Sequence, residues 1–363
     1  MINVAIVGPG LVGEALIKMI SNYSASSRGI DTPIRLLAVT NSRKMVVDPP
    51  SKPANLESWK ASMLSESSPA DLGKFTDLVS EHGPSSKTII VDCTSNESIA
   101  SNYPSWLEKG FNVATPNKKA FSSDISLWNK INSAAKNCPS KPLILHEATV
   151  GAGLPVLSTL NNLVLAGDRI DKVEGILSGT LSFLFCEFSN GSSSGKSFSD
   201  IVKIAKANGF TEPDPRDDLS GLDVARKAII LARLSGVPIE LSDLTLENIV
   251  PEELRSTATV DEFMDRLPEF DNHFSNLNQT AFKNGEVLRY VASIDLANSK
   301  YSVSLKSFPK SHAFASLSSG DNIISFTTKF FSNPLTIMGA GAGAEVTAFG
   351  IFSDILHIAS VKQ

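Results

Sequence analysis

Gly8-Pro9-Gly10-Leu11-Val12-Gly13 directly follows a short apolar run and has the G-x-G-x-x-G spacing. In that setting Gly8 permits a tight turn, Gly10 lets the backbone approach a pyrophosphate, and Gly13 allows close helix packing. Leu11 and Val12 open the helix whose N-terminus attracts the anion. About 20 residues further on, an NAD-selective site would carry an acid for the ribose hydroxyls. This chain reads Thr40-Asn41-Ser42-Arg43-Lys44 there, placing two cations where a 2′-phosphate would lie. A dinucleotide cofactor with NADP preferred over NAD is the expectation, with Arg43 gripping the phosphate through its fork of donors.

A second group lies further along. Asp223 and Lys227 are four residues apart, so a helix puts them on one face, about 40° apart in projection. Leu222, Val224, Ala225, Ala228, Ile229, Ile230, Leu231 and Leu234 surround them. Arg226 and Arg233 mark another face as the solvated one, so the pair is expected to be partly buried. A charge pair is costly there unless it has a task. Upstream, Gly209 to Asp218 is a polar, proline-stiffened loop suited to ligand capture. Thr115-Pro116-Asn117-Lys118-Lys119-Ala120 sets two lysines just past a strand end.

The elements that must position these residues follow from the apolar patterning. Near-continuous apolar runs at Asn3 to Gly8, Ile34 to Thr40, Thr88 to Cys93, Phe111 to Thr115 and Leu143 to His146 read as strands buried on both faces. Helices are expected at Leu11 to Asn22, Glu97 to Lys109 and Ser123 to Asn137. The fold class is α/β, a Rossmann-type parallel-sheet domain over 1–150. Between Asn41 and Lys87 a surface excursion is expected, with short amphipathic pieces at Leu56 to Leu64 and Ala70 to Ser80. An α+β domain is expected over 151–338. Its strands fall at Val173 to Leu177, Val287 to Ala297, Tyr301 to Lys306 and Ile323 to Phe331. Its helical stretches are Phe198 to Asn208, Leu219 to Leu234 and Val260 to Phe282. Asn190 to Ser197 reads as a flexible loop. Residues 339–363 read as a glycine turn and a helix from Glu345 to Ser360.

Composition excludes several classes. The 363 residues are 42% apolar and 20% charged, too apolar for a disordered chain. A net charge of −5 offers no footprint for nucleic acid. No uninterrupted apolar run reaches the roughly 18 residues of a membrane span. Cys93, Cys138 and Cys186 have no paired spacing, which favours a reducing compartment. The N-terminus lacks a signal pattern, so a cytoplasmic protein is expected.

Taken with these motifs, the chain resembles the homoserine dehydrogenases of the short monofunctional fungal type, almost from end to end. The resemblance rests on Gly8 to Gly13, Ala114 to Ala120, His146-Glu147-Ala148-Thr149-Val150-Gly151-Ala152-Gly153-Leu154-Pro155, Gly175 to Thr180, and Pro213 to Lys227. It implies NAD(P)H-dependent reduction of L-aspartate 4-semialdehyde to L-homoserine, on the way to threonine and methionine, in a homodimer, with 151–338 as the catalytic and dimerisation domain and 339–363 completing the first domain. It further implies Lys227 as the acid–base residue with Asp223 beside it, and Lys118 at the junction of nicotinamide and substrate. Glu212 and Asp223 would hold the substrate ammonium, with Gly179, Thr180 and Phe210 shaping the pocket. Thr94, Ser95 and Gly343 would face the cofactor. Glu147, Val150, Ala152 and Leu154 match a monovalent-cation site in related enzymes, with sodium the expected ion. Pro9 and Ala313, which follows His312, depart from the family pattern. His312 itself reads as a solvent-exposed loop residue.

Alternatives remain at this stage. A phosphorylating semialdehyde dehydrogenase needs a thiolate, and none of the cysteines has an evident base beside it. A nicotinamide-sensing protein would have no need of Lys118, Glu212, Asp223 and Lys227 together.

Overall fold

The structure, a computed structural model, describes residues 1–26, 32–47, 56–65, 67–192 and 195–361. It divides into one compact unit of Met1–Pro155 with Gly343–Gln363 and a second of Val156–Ala342.

Unit 1 begins with β1 (Ile2–Val7), α1 (Leu11–Ser24) and β2 (Ile34–Thr40), then β3 (Lys44–Val47), α2 (Leu56–Ser65), β4 (Ser68–Pro69) and α3 (Leu72–His82). It continues through β5 (Thr88–Asp92), α4 (Glu97–Ala100), α5 (Tyr103–Glu108), β6 (Asn112–Ala114), α6 (Lys119–Ser122), α7 (Ile125–Asn137) and β7 (Ile144–Leu145). The sheet has 7 strands in the order β4-β3-β2-β1-β5-β6-β7. Strands β2, β1, β5, β6 and β7 run parallel, and β3 and β4 extend the β2 edge in antiparallel sense. Chain order reverses at β1, between β2 on one side and β5 on the other, which is the switch point where open α/β sheets hold ligands. Val7 pairs with Thr40 on one side and Asp92 on the other, so the turns after these strands share one edge.

The C-terminal helix Ala344–Val361 completes this unit. By length and hydropathy it could cross a membrane. Yet its Ala348, Ile351, Ile355 and Ile358 are buried in one core with Leu16, Ile17 and Ile20 of α1 and Val4 and Ile6 of β1. Each large aliphatic side chain so buried contributes about 1.5–3 kcal/mol, which accounts for the helix as a core element.

Unit 2 contains α8 (Val156–Leu165), β8 (Ile170–Ile176), α9 (Gly179–Phe188), α10 (Phe198–Ala207), α11 (Pro215–Leu219) and α12 (Leu222–Leu234). After these come β9 (Thr245–Leu246), α13 (Val260–Arg266), α14 (Asp271–Lys283), β10 (Glu286–Asp295), β11 (Lys300–Pro309), β12 (Asp321–Thr328) and β13 (Leu335–Ala340). Its sheet has 6 strands in the order β13-β12-β8-β10-β11-β9, antiparallel except for β9 beside β11. Phe185 of α9, Phe198 of α10, Phe274 of α14 and Tyr290 of β10 pack together, with the rings of Phe198 and Phe274 stacked 4.0 Å apart.

Several expected elements differ, each for a local reason. The expected helix over Glu97 to Lys109 is two helices, α4 and α5, because Pro104 has no N–H to continue α4 and instead sits in the first turn of α5. Leu219 to Leu234 is broken at Gly221, whose φ of +73° is left-handed. Val260 to Phe282 is interrupted by a 3-10 turn at Leu267–Phe270, which contains Pro268. Within Asn41 to Lys87 the strands β3 and β4 join the sheet, while residues 48–55 and 66 lie outside the described residues. So do residues 193–194 of the Asn190 to Ser197 loop. Gly339 belongs to β13 and not to a turn, and the compact units divide at Pro155 and Ala342.

Candidate active site

The glycine loop sits at the switch-point edge of unit 1. Gly8 has φ +83°, and a Cβ there would collide with the Thr94 side chain, so only glycine lets β1 turn this close to the Thr94 turn. A Cβ on Gly13 would stand 3.0 Å from the Gly8 carbonyl oxygen. Gly10 is the N-cap of α1, makes no side-chain cap bond, and has open space where a Cβ would be. Leu11 is 82% exposed beside it. The first N–H groups of a 14-residue helix therefore face an open position, and they fit a pyrophosphate.

The Asn41–Lys44 turn follows β2 at the same edge. The Asn41 side-chain oxygen accepts from Arg43 N and Lys44 N, each at 2.8 Å, which fixes the turn and leaves Arg43 exposed. Lys44 differs: its ammonium donates to the Met63 carbonyl at 3.3 Å. The β5 edge carries Thr94, half-buried, and Ser95, exposed; the β6 edge carries Lys118, half-buried at the N-cap of α6. Gly343 has φ +106° and lies just before the C-terminal helix.

Glu147, Val150, Ala152 and Leu154 follow β7. Gly151 and Ala152 both have positive φ, +78° and +52°, so this turn is sharply curled. A Cβ on Gly350 of the C-terminal helix would stand 2.5 Å from the Ala152 carbonyl oxygen, and one on Gly153 would stand 2.7 Å from that of Val346. These glycines let turn and helix approach closely. Glu147 is buried, and its N–H donates to Asp354 Oδ2 at 2.9 Å. Among the described residues no cluster of three or more His, Cys, Asp or Glu side chains is suited to a metal.

The second set lies in unit 2. Lys227 Nζ donates to the Leu177 carbonyl oxygen at 2.7 Å and is 2.7 Å from Asp223 Oδ2. Leu177 precedes Ser178, which caps α9 by accepting from Leu181 N. Thr180 Oγ1 donates to the Phe210 carbonyl at 2.7 Å, and the Phe210 ring, half exposed, meets Phe183 edge-on at 5.0 Å. A Cβ on Gly179 would stand 3.1 Å from the Gly320 carbonyl oxygen. Glu212 N donates to Asp218 Oδ2 at 2.8 Å. Burial holds the Asp218 carboxyl above the usual carboxylate range; the hydrogen bond from Glu212 N opposes this, and the charges of Glu212 and Asp223 add to it. Asp214 and Pro215 start α11, and Arg216 ties that turn down by pairing with Asp214 at 2.6 Å and donating to Thr257. The motifs around Gly179, Phe210, Glu212 and Lys227 are thus connected by direct bonds.

The Asp223–Lys227 pair is partly buried, as expected: the lysine side chain is 11% exposed and the aspartate 46%, because Asp223 occupies the first turn of α12 beside the Gly221 bend. The reading of Arg233 is corrected. Arg233 does not mark a solvated face. It is 5% exposed, and its guanidinium crosses to donate to the Ile239 carbonyl at 3.1 Å, beyond the C-terminal end of α12. His312 is exposed, with Nδ1 accepting from Phe314 N. Asp218 was not singled out from sequence, since acidic residues crowd that loop and only the fold shows which one turns inward.

A glycine loop at the switch point of a parallel sheet is the arrangement of a dinucleotide-binding unit, and here a second unit carries a buried lysine paired with an aspartate. The family model for homoserine dehydrogenase matches residues 155–356, and the model for the homoserine dehydrogenase NAD binding domain matches residues 8–142. The homoserine dehydrogenase of Schizosaccharomyces pombe is 45% identical over 364 residues, covering 99% of this chain and 96% of that one. A chloroplastic bifunctional aspartokinase/homoserine dehydrogenase 2 of Zea mays is 44% identical over 98% of this chain, which spans only 38% of that protein. Among solved structures, a Candida auris protein of unknown function superposes with a TM-score of 0.90 at 42% identity, covering 99% of this chain and 98% of that one. The chain belongs to the homoserine dehydrogenase family.

Proposed function

We propose that this chain reduces L-aspartate 4-semialdehyde to L-homoserine, reversibly, with NADPH preferred over NADH, as a step toward threonine and methionine. The observation that carries the reading is the buried Lys227 ammonium held between the Leu177 carbonyl and Asp223. An exposed ion pair contributes about 0–1 kcal/mol at most, too little to account for burying a lysine.

Bound nicotinamide supplies the hydride that reaches the aldehyde carbon. Lys227 gives a proton to the oxygen on which negative charge develops, and Asp223 keeps the ammonium oriented. Lys118, at the N-cap of α6 on the β6 edge, would lie beside bound nicotinamide and add positive charge there. Glu212, Asp218 and Asp223 outnumber the one lysine among them, which suits the substrate's own ammonium group. Gly179, Thr180 and Phe210 shape the pocket around it. Gly8, Gly10, Leu11, Val12 and Gly13 cradle the pyrophosphate. Arg43 takes the 2′-phosphate, and Thr94, Ser95 and Gly343 line the cofactor edge.

The thiolate chemistry of a phosphorylating semialdehyde dehydrogenase is opposed by burial, which pushes the thiols of Cys93 and Cys186 up. A nicotinamide sensor would leave the Lys227 set without a task.

The curled turn at Gly151 and Ala152 supports a monovalent cation, sodium for preference, held by Glu147 and the carbonyls of Val150, Ala152 and Leu154. Its hard oxygen donors suit such an ion. The edge strand β13, with Met338 59% exposed, supports a homodimer paired through the unit 2 sheet. Free thiols at Cys93, Cys138 and Cys186 support a reducing, cytoplasmic setting. The net charge of −5 supports a small-molecule enzyme without nucleic acid partners, and the packed C-terminal helix one that works off the membrane.

Homoserine and NADP⁺ supplied to the purified chain should generate reduced nicotinamide and a trappable aldehyde. No reduction with either NADP⁺ or NAD⁺ would refute the proposal.

A further inference from the structure

Asp92, at the end of β5, has no exposed surface. Its Oδ2 accepts from the Tyr103 hydroxyl at 2.6 Å and from Asn117 Nδ2 at 2.9 Å, and its Oδ1 accepts from Thr94 N at 2.8 Å. Burial raises the Asp92 carboxyl, and the hydrogen bonds from Tyr103, Asn117 and Thr94 counter it. Asn117 is 1% exposed, and both polar ends of its side chain and its backbone N–H have partners. Nδ2 donates to Asp92 and to the Asn96 carbonyl at 3.0 Å, its N–H donates to Thr115 Oγ1 at 2.9 Å, and Oδ1 accepts from Lys119 N at 3.0 Å. Thr115 Oγ1 in turn donates to the Asp92 carbonyl at 2.8 Å.

One side chain therefore joins two turns that follow different strands. The first, Thr94 to Asn96, follows β5, and the second, Thr115 to Lys119, follows β6 and carries Lys118. A helix cap or an ordinary turn uses one such bond. Here a buried carboxylate and a buried side-chain amide share several, so neither turn can move without leaving a polar group unpaired.

We propose that Asn117, anchored by Asp92, is a positioning residue that locks these two turns in one register and so holds Lys118 in one position at the cofactor edge of unit 1. This rests on the reading above that Lys118 acts there and that Thr94 and Ser95 face the cofactor. With 1% of its surface exposed, Asn117 is placed to act through Lys118.

The test is a double-mutant cycle on the full chain, with Lys118→Ala, Asn117→Ala and the double variant, reading kcat, KM, NADPH affinity by fluorescence quenching and the melting temperature. Misplacing a catalytic group by about 1 Å costs about 10²-fold, so Asn117→Ala should lower kcat by up to that factor and no more than Lys118→Ala does. It should leave the semialdehyde KM within about threefold. In the Lys118→Ala background, Asn117→Ala should cost no more than about threefold further. An equal, additive loss in that background means a purely structural role and overturns the proposal. So does unchanged kcat in a folded Asn117→Ala. A Lys118→Ala variant with full activity refutes the role of Lys118 itself, and the proposal falls with it. Should Asn117→Ala not fold, Asp92→Asn keeps the volume but sets an NH₂ group against a donor, and it carries the same cycle with the same expected outcomes.

Discussion

The Lys227 ammonium donates to the carbonyl oxygen of Leu177, 50 residues earlier, at 2.7 Å. That bond ties the helix bearing the proposed acid to the strand end that opens the Ser178-Gly179-Thr180 turn, so proton donor and pocket wall are placed by one contact. Lys227→Ala should cut turnover by about 10²–10⁴-fold while leaving NADPH affinity nearly unchanged. Stopped-flow turnover alongside cofactor titration checks this. A tenfold weaker cofactor with normal turnover would move Lys227 into the nucleotide site.

Asp218 gives a pH signature. Because its carboxyl is raised mainly by burial, it protonates at a higher pH than an ordinary aspartate, and capture of an ammonium needs it ionised. The KM for the semialdehyde should therefore rise as pH falls through that raised value. The stability sign is opposite. A carboxyl raised in the folded state contributes stability that is full below its unfolded pKa and lost as pH rises through the folded one. Asp218→Asn should therefore melt no lower than the parent at neutral pH, while its KM rises about tenfold or more and the acid limb flattens. A lower melting point with unchanged KM would make Asp218 a purely structural residue.

Arg43→Ala should weaken NADPH by about tenfold more than NADH, since a hydrogen bond to a charged phosphate is worth about 1.5–3 kcal/mol. Lys44→Ala should change either affinity by less than about threefold, because the Lys44 ammonium is engaged by the Met63 carbonyl. Isothermal titration with both cofactors distinguishes the two residues. Equal weakening of NADPH and NADH by Arg43→Ala would dismiss the phosphate contact.

These contrasts show what was legible in the sequence. The βαβ unit could be read because Gly8, Gly10 and Gly13 are adjacent in the chain and their roles are local. Lys227 and Asp223 could be read because a helix sets their spacing. What lay hidden depends on groups brought together from afar. Glu147 and Asp354 are 207 positions apart, Asp92 and Asn117 are 25 apart, and no periodicity marks them. The bend at Gly221 was missed because the apolar pattern runs through it. The fold shows that a Cβ there would collide with the Tyr290 hydroxyl. Arg233 was misassigned because a charge on a helix reads as solvated until the carbonyl waiting at the helix end is seen. The strands β3, β4 and β9, of 4, 2 and 2 residues, are too short for alternation to register.

The turn at Glu147 predicts a response to cations. Protein stripped of metal should melt higher on adding sodium at constant ionic strength, and Glu147→Gln should flatten that response. An unmodified protein indifferent to sodium and potassium would leave the segment as a turn alone.

Thiol modification bears on the competing chemistry. Treatment with an alkylating reagent should leave activity within about twofold, because burial holds the Cys93 and Cys186 thiols in the protonated, unreactive form. Complete inactivation protected by substrate would instead indicate a cysteine nucleophile.

The most direct measurement follows reduced-nicotinamide absorbance when the purified chain meets L-aspartate 4-semialdehyde and NADPH, without and then with inorganic phosphate. Prompt loss of absorbance, unaffected by phosphate and matched mole for mole by homoserine, is the expected result. No loss of absorbance, together with phosphate-dependent reduction of NADP⁺ by the same aldehyde, would contradict it.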